Sequence, residues 1–323
     1  MITRTRLALA IMILSLLASA CASPGVYPSG ETTTMPTLND DHFIAHDRTP
    51  IPVRSWIPES EKPTAVIIAL HGFNDYSNFF TEPGTFLAGR TIATYAFDQR
   101  GFGATPTAGL WPGIPSLIQD LETITTLVRQ RHPDTPLFLL GESMGGAVVM
   151  VGIKEARQAG ARLGIDGVIL SAPAVWGRET MPWYQTMMLW ISAHIMPGAK
   201  LTGRGLKIKA SDNIEMLRAL GRDPLVIKKT RIDAVYGLTN LMDAALNASD
   251  SLKLPMLVLY GEKDEIIPRK PTELMLSRLP ESTQDARKVI YYENGYHMLI
   301  RDLQAAVVWR DIATWIGSRT NPD

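Results

Sequence analysis

Ser143 sits in Gly141-Glu142-Ser143-Met144-Gly145-Gly146, between an apolar run at 136–140 and a helix-compatible pattern that follows. Glycine two residues before and after a serine permits a strand-to-helix turn in which backbones touch and the hydroxyl stands at the tip of a sheet. Such a serine supports nucleophilic attack on an acyl group, with a histidine as base and a carboxylate to orient that histidine. Six histidines are available. His42 and His46 belong to an N-terminal hairpin, His71 directly follows a strand, His132 lies in a loop before a strand, and His194 falls in a helical insertion. Elimination selects His297, in a loop between the last strand and the last helix. For the carboxylate, the turn Gly261-Glu262-Lys263-Asp264-Glu265 offers three residues. Asp264 is preferred to Glu262 and Glu265 because the turn after Gly261 points it toward the strand ends. Donors for an oxygen that becomes negative are expected at the backbone N–H of Met144 and of Phe73, the latter in the loop Leu70-His71-Gly72-Phe73-Asn74.

The elements that must position these residues are legible as an alternation. Residues 42–45 and 51–56 read as an antiparallel hairpin. Short, nearly continuous apolar runs at 65–70, 91–97, 137–140, 167–170, 256–260 and 288–292 read as strands covered on both faces. Helical spacing marks 114–131, 144–159, 271–279 and 299–316. Strand and helix in alternation imply an α/β fold with a mostly parallel, doubly wound sheet. Between Pro173 and Leu254 strand signals are missing and helical stretches appear, including 180–196 and 213–220. An inserted helical cap at about 174–253, over the strand ends where ligands bind in such sheets, accounts for the gap. The cap segment around Met181, Trp183, Tyr184, Met187, Met188 and Trp190 fits either a helix buried against the core or a surface for a flexible acyl chain or lipid.

The chain of 323 residues has 32 Lys+Arg and 32 Asp+Glu, without long runs of either sign, so no nucleic-acid footprint is present. Arg4 and Arg6, the apolar stretch 7–17 and Ala18-Ser19-Ala20 have the layout of a secretory signal over residues 1–20. Cys21, the single cysteine, follows directly and resembles the acylated cysteine of bacterial lipoproteins, although Ala18 stands where leucine is usual. The expectation is an exported, lipid-anchored protein of the cell envelope, facing the periplasm from the outer membrane, or otherwise a periplasmic or secreted one. Residues 21–40, rich in Pro, Gly, Ser and Thr, read as a tether, and 41–323 as the folded domain.

The motifs H-G-F-N-D-Y-S at 71–77, F-D-Q-R-G-F-G at 97–103, G-E-S-M-G-G at 141–146, Y-G-E-K-D at 260–264 and G-Y-H-M-L at 295–299 together resemble the serine α/β-hydrolases grouped as monoacylglycerol lipases and lysophospholipases. The likeness spans 41–317 in order and spacing. It implies the α/β-hydrolase fold, a triad of Ser143, Asp264 and His297, oxyanion donors at Phe73 and Met144, no cofactor, and a small single-chain lipid ester as substrate. An acyltransferase, another esterase or a peptidase could carry the same triad, and a noncatalytic envelope lipoprotein is the reading from a different class. The loop at 98–103 lacks the lysine and following helix of a phosphate cradle and reads as a structural turn. His42 and His46 read as surface residues, and no metal site is supported.

Overall fold

Every residue of five strands at the centre of the sheet is buried, which requires cover on both faces and explains their nearly continuous apolar character. The computed structural model describes residues 23–59, 62–203, 205 and 208–320. In chain order the elements are β1 (Thr37–Leu38), β2 (His42–Ile44), β3 (Pro50–Trp56), β4 (Ala65–Leu70), α1 (Thr81–Ala88), β5 (Ile92–Phe97), α2 (Ile114–Arg131), β6 (Leu137–Glu142), α3 (Met144–Gln158) and β7 (Gly167–Ser171). Then follow α4 (Trp183–Ile195), β8 (Lys200–Leu201), α5 (Ile214–Arg222), β9 (Thr230–Arg231), α6 (Ile232–Leu246), β10 (Met256–Gly261), α7 (Arg269–Ser277), β11 (Arg287–Tyr292) and α8 (Ala305–Thr320).

Nine strands form one sheet in the order β1-β2-β3-β5-β4-β6-β7-β10-β11. The first three pair antiparallel and the remaining six run parallel. From β4 the chain steps outward to β5, then returns to the other side of β4 as β6. This reversal opens a crevice at the carboxyl ends of β4 and β6. Register keeps those ends level, with Leu70 beside Gly141, Glu142 beside Ser171 and Gly261 beside Tyr292. Alternate residues of each strand serve two cores. Val66, Ile68 and Leu70 face the side covered by α2, α3 and α6, while Ala65, Ile67 and Ala69 face α1 and α8.

Some elements differ from the sequence expectation. Helix α1 is hidden in sequence by Pro83 and Gly84; a Cβ at Gly84 would stand 2.5 Å from the Trp56 ring, so its absence lets helix and strand pack. The pattern at 299–316 is broken, because Leu299–Arg301 forms a short 3-10 turn and α8 starts only at Ala305. Asp302 accepts bonds from Tyr296 N at 2.7 Å and Ser211 Oγ at 2.5 Å, and these hold the turn away from a continuous helix. The cap, expected to lack strands, contains the two-residue ladder of β8 and β9.

The stretch read as a tether is docked on the domain from Tyr27 onward. Tyr27 N donates to Trp111 O at 2.8 Å, Ser29 N to Ser116 Oγ at 2.8 Å, and Thr33 N to His46 O at 2.8 Å, before β1 joins β2. A polar composition limits burial of apolar surface, yet backbone donors still find acceptors on a neighbouring surface. The expected signal segment 1–20 and Cys21 lie outside the described residues.

The loop at 98–103 closes on itself. Asp98 accepts from Ser77 N at 2.9 Å and Ala104 N at 2.8 Å, so its own carboxylate occupies the amides that a phosphate would use. Arg100 then forms paired bonds of 2.9 Å with Asp120 and reaches Asp47 at 2.9 Å, all three side chains being buried. Burial raises the Asp47 carboxyl, but bonds from Thr49, Gly30 and Arg100 outweigh it and hold it down at about 2. A carboxyl depressed in the folded state stabilises fully above its unfolded value of about 3.9 and loses that contribution as pH falls through the folded value. Asp47→Asn is therefore expected to be less stable at neutral pH, with a shallower decline between about pH 4 and 2, as read from urea midpoints at graded pH.

Candidate active site

At the end of β6 the chain turns so sharply that Ser143 has φ 51° and ψ −114°, a backbone region that costs a non-glycine residue of order 1–3 kcal/mol. Neighbouring bonds hold it there. Ser143 N donates to Ser171 O at 3.0 Å, and Ser143 O accepts from Ala174 N at 2.9 Å and Ala147 N at 3.2 Å. The glycines are sterically required. A Cβ on Gly141 would lie 2.4 Å from Gly146 N, and one on Gly145 would lie 2.2 Å from Leu70 O. Ser143 itself is half-buried and caps the N-terminus of α3, where the first amides have no acceptor inside the helix. Met144 N–H is one of those amides.

The opposing loop leaves β4 at Leu70. Gly72 packs against the serine, since a Cβ there would stand 3.4 Å from Ser143 Cβ. His71 is wholly buried, accepts from Gln99 N through Nε2 at 2.9 Å, and so donates from Nδ1 to Gly72 O at 2.7 Å. Burial lowers its pKa and favours this neutral form. The Phe73 ring is wedged edge-on against Phe102 at 5.5 Å and Trp111 at 6.5 Å. Backbone and ring together set where the Phe73 amide stands.

The histidine arises from the loop after β11. His297 Nδ1 lies 2.8 Å from Asp264 Oδ2, with the two side chains 6% and 0% exposed. A carboxylate only accepts, so Nδ1 carries a proton, and in the neutral imidazole this tautomer leaves the lone pair on Nε2. Asp264 Oδ1 accepts from Ile266 N at 2.8 Å and Ile267 N at 2.9 Å, which fixes the carboxylate plane. The neighbouring acids turn elsewhere: Glu262 is exposed and 3.6 Å from Arg269, and Glu265 takes the Lys209 amide at 2.8 Å. Three other histidines have partners elsewhere, His42 with Asp41, His132 with Tyr95, and His194 with Trp190 O.

The structure thus joins Asp264 to His297 directly and Ser143 to the Gly72–Phe73 loop by contact. It adds a link that sequence reading missed. Arg301, four residues beyond His297, reaches Glu142 Oε2 at 3.1 Å and Asp75 Oδ2 at 2.7 Å. A charged residue directly after the apolar stretch Met298-Leu299-Ile300 is its only signal in sequence.

The cap encloses the site from above. Asn74 Nδ2 bonds Thr230 Oγ1 at 2.7 Å, Tyr76 OH bonds Asp223 Oδ2 at 2.7 Å, and Met298 N bonds Ala210 O at 3.1 Å. Helix α4 does not pack into the core as one expectation held. Trp183 is 74% exposed and Tyr184, Met187, Met188, Trp190 and Ile195 are also exposed, with Ala193 its one fully buried residue.

A parallel sheet reversed at β4, a strained serine turn after β6 and a buried His-Asp pair on the last two strand ends define an α/β-hydrolase. A family model described as serine aminopeptidase, S33, matches residues 61–304, and the chain belongs to this family of serine hydrolases. It is similar to the monoacylglycerol lipase of Mycolicibacterium smegmatis, 24% identical over 81% of this chain and 91% of that one. It is 25% identical to the monoglyceride lipase of Mus musculus over 90% and 95% of the two chains. The solved structure of a soluble variant of monoglyceride lipase from Saccharomyces cerevisiae shares the fold, with TM-score 0.72 and 21% identity over 92% of this chain and all of that one (100%).

Because a methyl group on Gly145 meets a backbone carbonyl rather than a movable side chain, Gly145→Ala must shift α3 against β4. The expected loss is about 1–3 kcal/mol of stability, measured by urea unfolding, with a larger fractional loss of esterase activity.

Proposed function

We propose that the protein hydrolyses single-chain lipid esters, such as a monoacylglycerol or lysophospholipid, through a Ser143-His297-Asp264 triad. The observation that carries this reading is the strained, glycine-flanked Ser143 together with a buried His297-Asp264 pair, in a chain of the serine hydrolase family. His297 Nε2 takes the Ser143 proton as Oγ attacks the ester carbonyl, and Asp264 steadies the imidazolium. The amides of Phe73 and Met144 receive the oxyanion. The protonated His297 then gives its proton to the departing alcohol, and the neutral imidazole activates water to release the fatty acid from Ser143. No step asks for a cofactor.

The exposed apolar face of α4 supports the lipid assignment, since tryptophan and methionine at a cap surface suit contact with acyl chains. The names of the relatives, monoacylglycerol and monoglyceride lipases, point to the same substrate class. An aminopeptidase needs a carboxylate for the substrate ammonium; the buried acids of the Phe73 loop and the serine turn, Asp75 and Glu142, are both engaged by Arg301. We further propose that the chain is exported and held at the envelope membrane through a lipid on Cys21.

On p-nitrophenyl esters of graded length, kcat/KM should rise by up to about fourfold per added methylene that becomes buried, from acetate into the long-chain range. A preference for acetate would overturn the lipid assignment. Ser143→Ala should reduce kcat by about a millionfold and Asp264→Asn by about ten-thousandfold, with the fold intact by circular dichroism. Retained activity in Ser143→Ala would remove the mechanism. For the anchor, Cys21→Ser is expected to shift the protein from the membrane to the soluble fraction, and unchanged partition would exclude lipidation.

A further inference from the structure

Two carboxylates and one guanidinium are sealed beneath the nucleophile turn, and the acyl-transfer steps above use none of them. Asp75 lies two residues after Phe73, Glu142 immediately precedes Ser143, and Arg301 follows His297 by four. One nitrogen, Arg301 Nη2, stands 2.7 Å from Asp75 Oδ2 and 3.1 Å from Glu142 Oε2, with no side chain of the three more than 8% exposed. The Phe79 ring lies 5.8 Å from the guanidinium. We propose that Arg301 is a positioning residue for the reaction, a single buried cation that holds the Phe73 loop, the Ser143 turn and the His297 loop at their working separations.

The need for such a tie follows from the topology. The three loops leave β4, β6 and β11, and the sheet fixes only their roots. Asp264 ties His297 to the end of β10, but it is Arg301 that carries a bond from the histidine loop across to the serine turn. A guanidinium suits this place because it stays charged and presents several donors in a rigid plane. The turn that bears it is itself anchored: Arg301 N donates to Met298 O at 2.8 Å, and its carbonyl accepts from cap residue Asn213 at 3.0 Å.

The cluster also sets the charge around His297. Burial raises the Glu142 carboxyl above the ordinary glutamate range; Arg301 opposes the rise, Asp75 adds to it, His297 opposes it and Asp302 adds to it. On the side of the Phe73 loop, His71 and Asp98 face the same group of charges. Removing the cation therefore makes the surroundings of the site more negative, and removing the charge of Glu142 makes them less so.

The inference rests on the triad reading and is tested so that the two fail separately. Full-length Arg301→Gln, Arg301→Lys and Glu142→Gln are assayed for kcat, KM and pH profile on a p-nitrophenyl ester. The same proteins are then labelled with a p-nitrophenyl alkylphosphonate, which phosphonylates the serine and releases p-nitrophenolate. Arg301→Gln is expected to lower kcat by about a hundredfold with KM little changed. Its phosphonylation should slow in proportion yet reach full stoichiometry, and the acid limb of kcat/KM should move to higher pH. Arg301→Lys should recover part of the rate, and Glu142→Gln should move the acid limb to lower pH. Unchanged kcat in Arg301→Gln, or a kcat loss matched by a loss of labelled sites, would overturn the positioning role. If Arg301→Gln does not fold, wild-type kcat and an unmoved acid limb in the other two variants overturn it instead. Failure of the wild type to be labelled at Ser143 sinks the triad, whatever the Arg301 variants do.

Discussion

Where α3 begins, its backbone lies so close to the carbonyl of Leu70 that a methyl group on Gly145 would stand 2.2 Å from the oxygen. That approach lets the helix start directly over the end of a neighbouring strand. It forces Ser143 into its positive φ and aims the amides of the first helical turn at the space beside the hydroxyl. Leu70 is also the root of the loop that ends in Phe73, so one residue buttresses the nucleophile turn and launches the segment opposite it. The geometry on both sides of the crevice is thereby referred to a single strand end. Glycines at 141 and 145 are the condition for this proximity, because a Cβ at either would meet backbone at 2.4 and 2.2 Å.

Much of this was readable from residue types because burial on both faces leaves a plain trace. Strands such as Ala65–Leu70 and Met256–Gly261 are apolar at every position, and the serine turn is marked by its glycines. The histidine followed from the scarcity of alternatives. Choosing among three acids in one turn was harder, because sequence does not show which carboxylate is buried; in the fold only Asp264 turns inward, while Glu262 and Glu265 meet Arg269 and Lys209. Three features escaped. Helix Thr81–Ala88 carries proline and glycine that argue against a helix unless the indole of Trp56 is known to fill the gap. The break at Arg301 and Asp302 depends on partners far away in the chain, Glu142 lying 159 residues from Arg301. A long-range pair of that kind has no periodicity to betray it. The polar composition of residues 21–40 suggests freedom, but backbone amides such as those of Tyr27 and Thr33 bond to whatever acceptors a surface offers.

The cap divides its chemistry between its two sides. Toward the sheet it is stitched by polar contacts to the loops of the site, through Thr230, Asp223, Ala210 and Ser211. Burial and the bond to Asp223 raise the Tyr76 phenol well above its ordinary range, so it remains a donor at any moderate pH. Toward solvent α4 carries tryptophan, tyrosine and methionine with little cover. A cap fixed at its base by directional bonds and apolar on its outer face meets an amphiphile first with its least polar surface.

The docked N-terminal run gives the molecule a defined load path. Tyr27 bonds the carbonyl of Trp111, and its ring lies 5.7 Å from the Arg231 guanidinium. Arg231 in turn holds Asp233, and a Cβ on Gly25 would stand 2.8 Å from that same carboxylate. Trp111 packs both against Gly237 in α6 and against the ring of Phe73. Tension applied to the chain at Ser23 is therefore delivered first to the junction of β9 and α6, and to the tryptophan that props the Phe73 loop, before it reaches the sheet. The N-terminal run thus meets the domain on the cap side, and a pull there registers at the roof of the crevice.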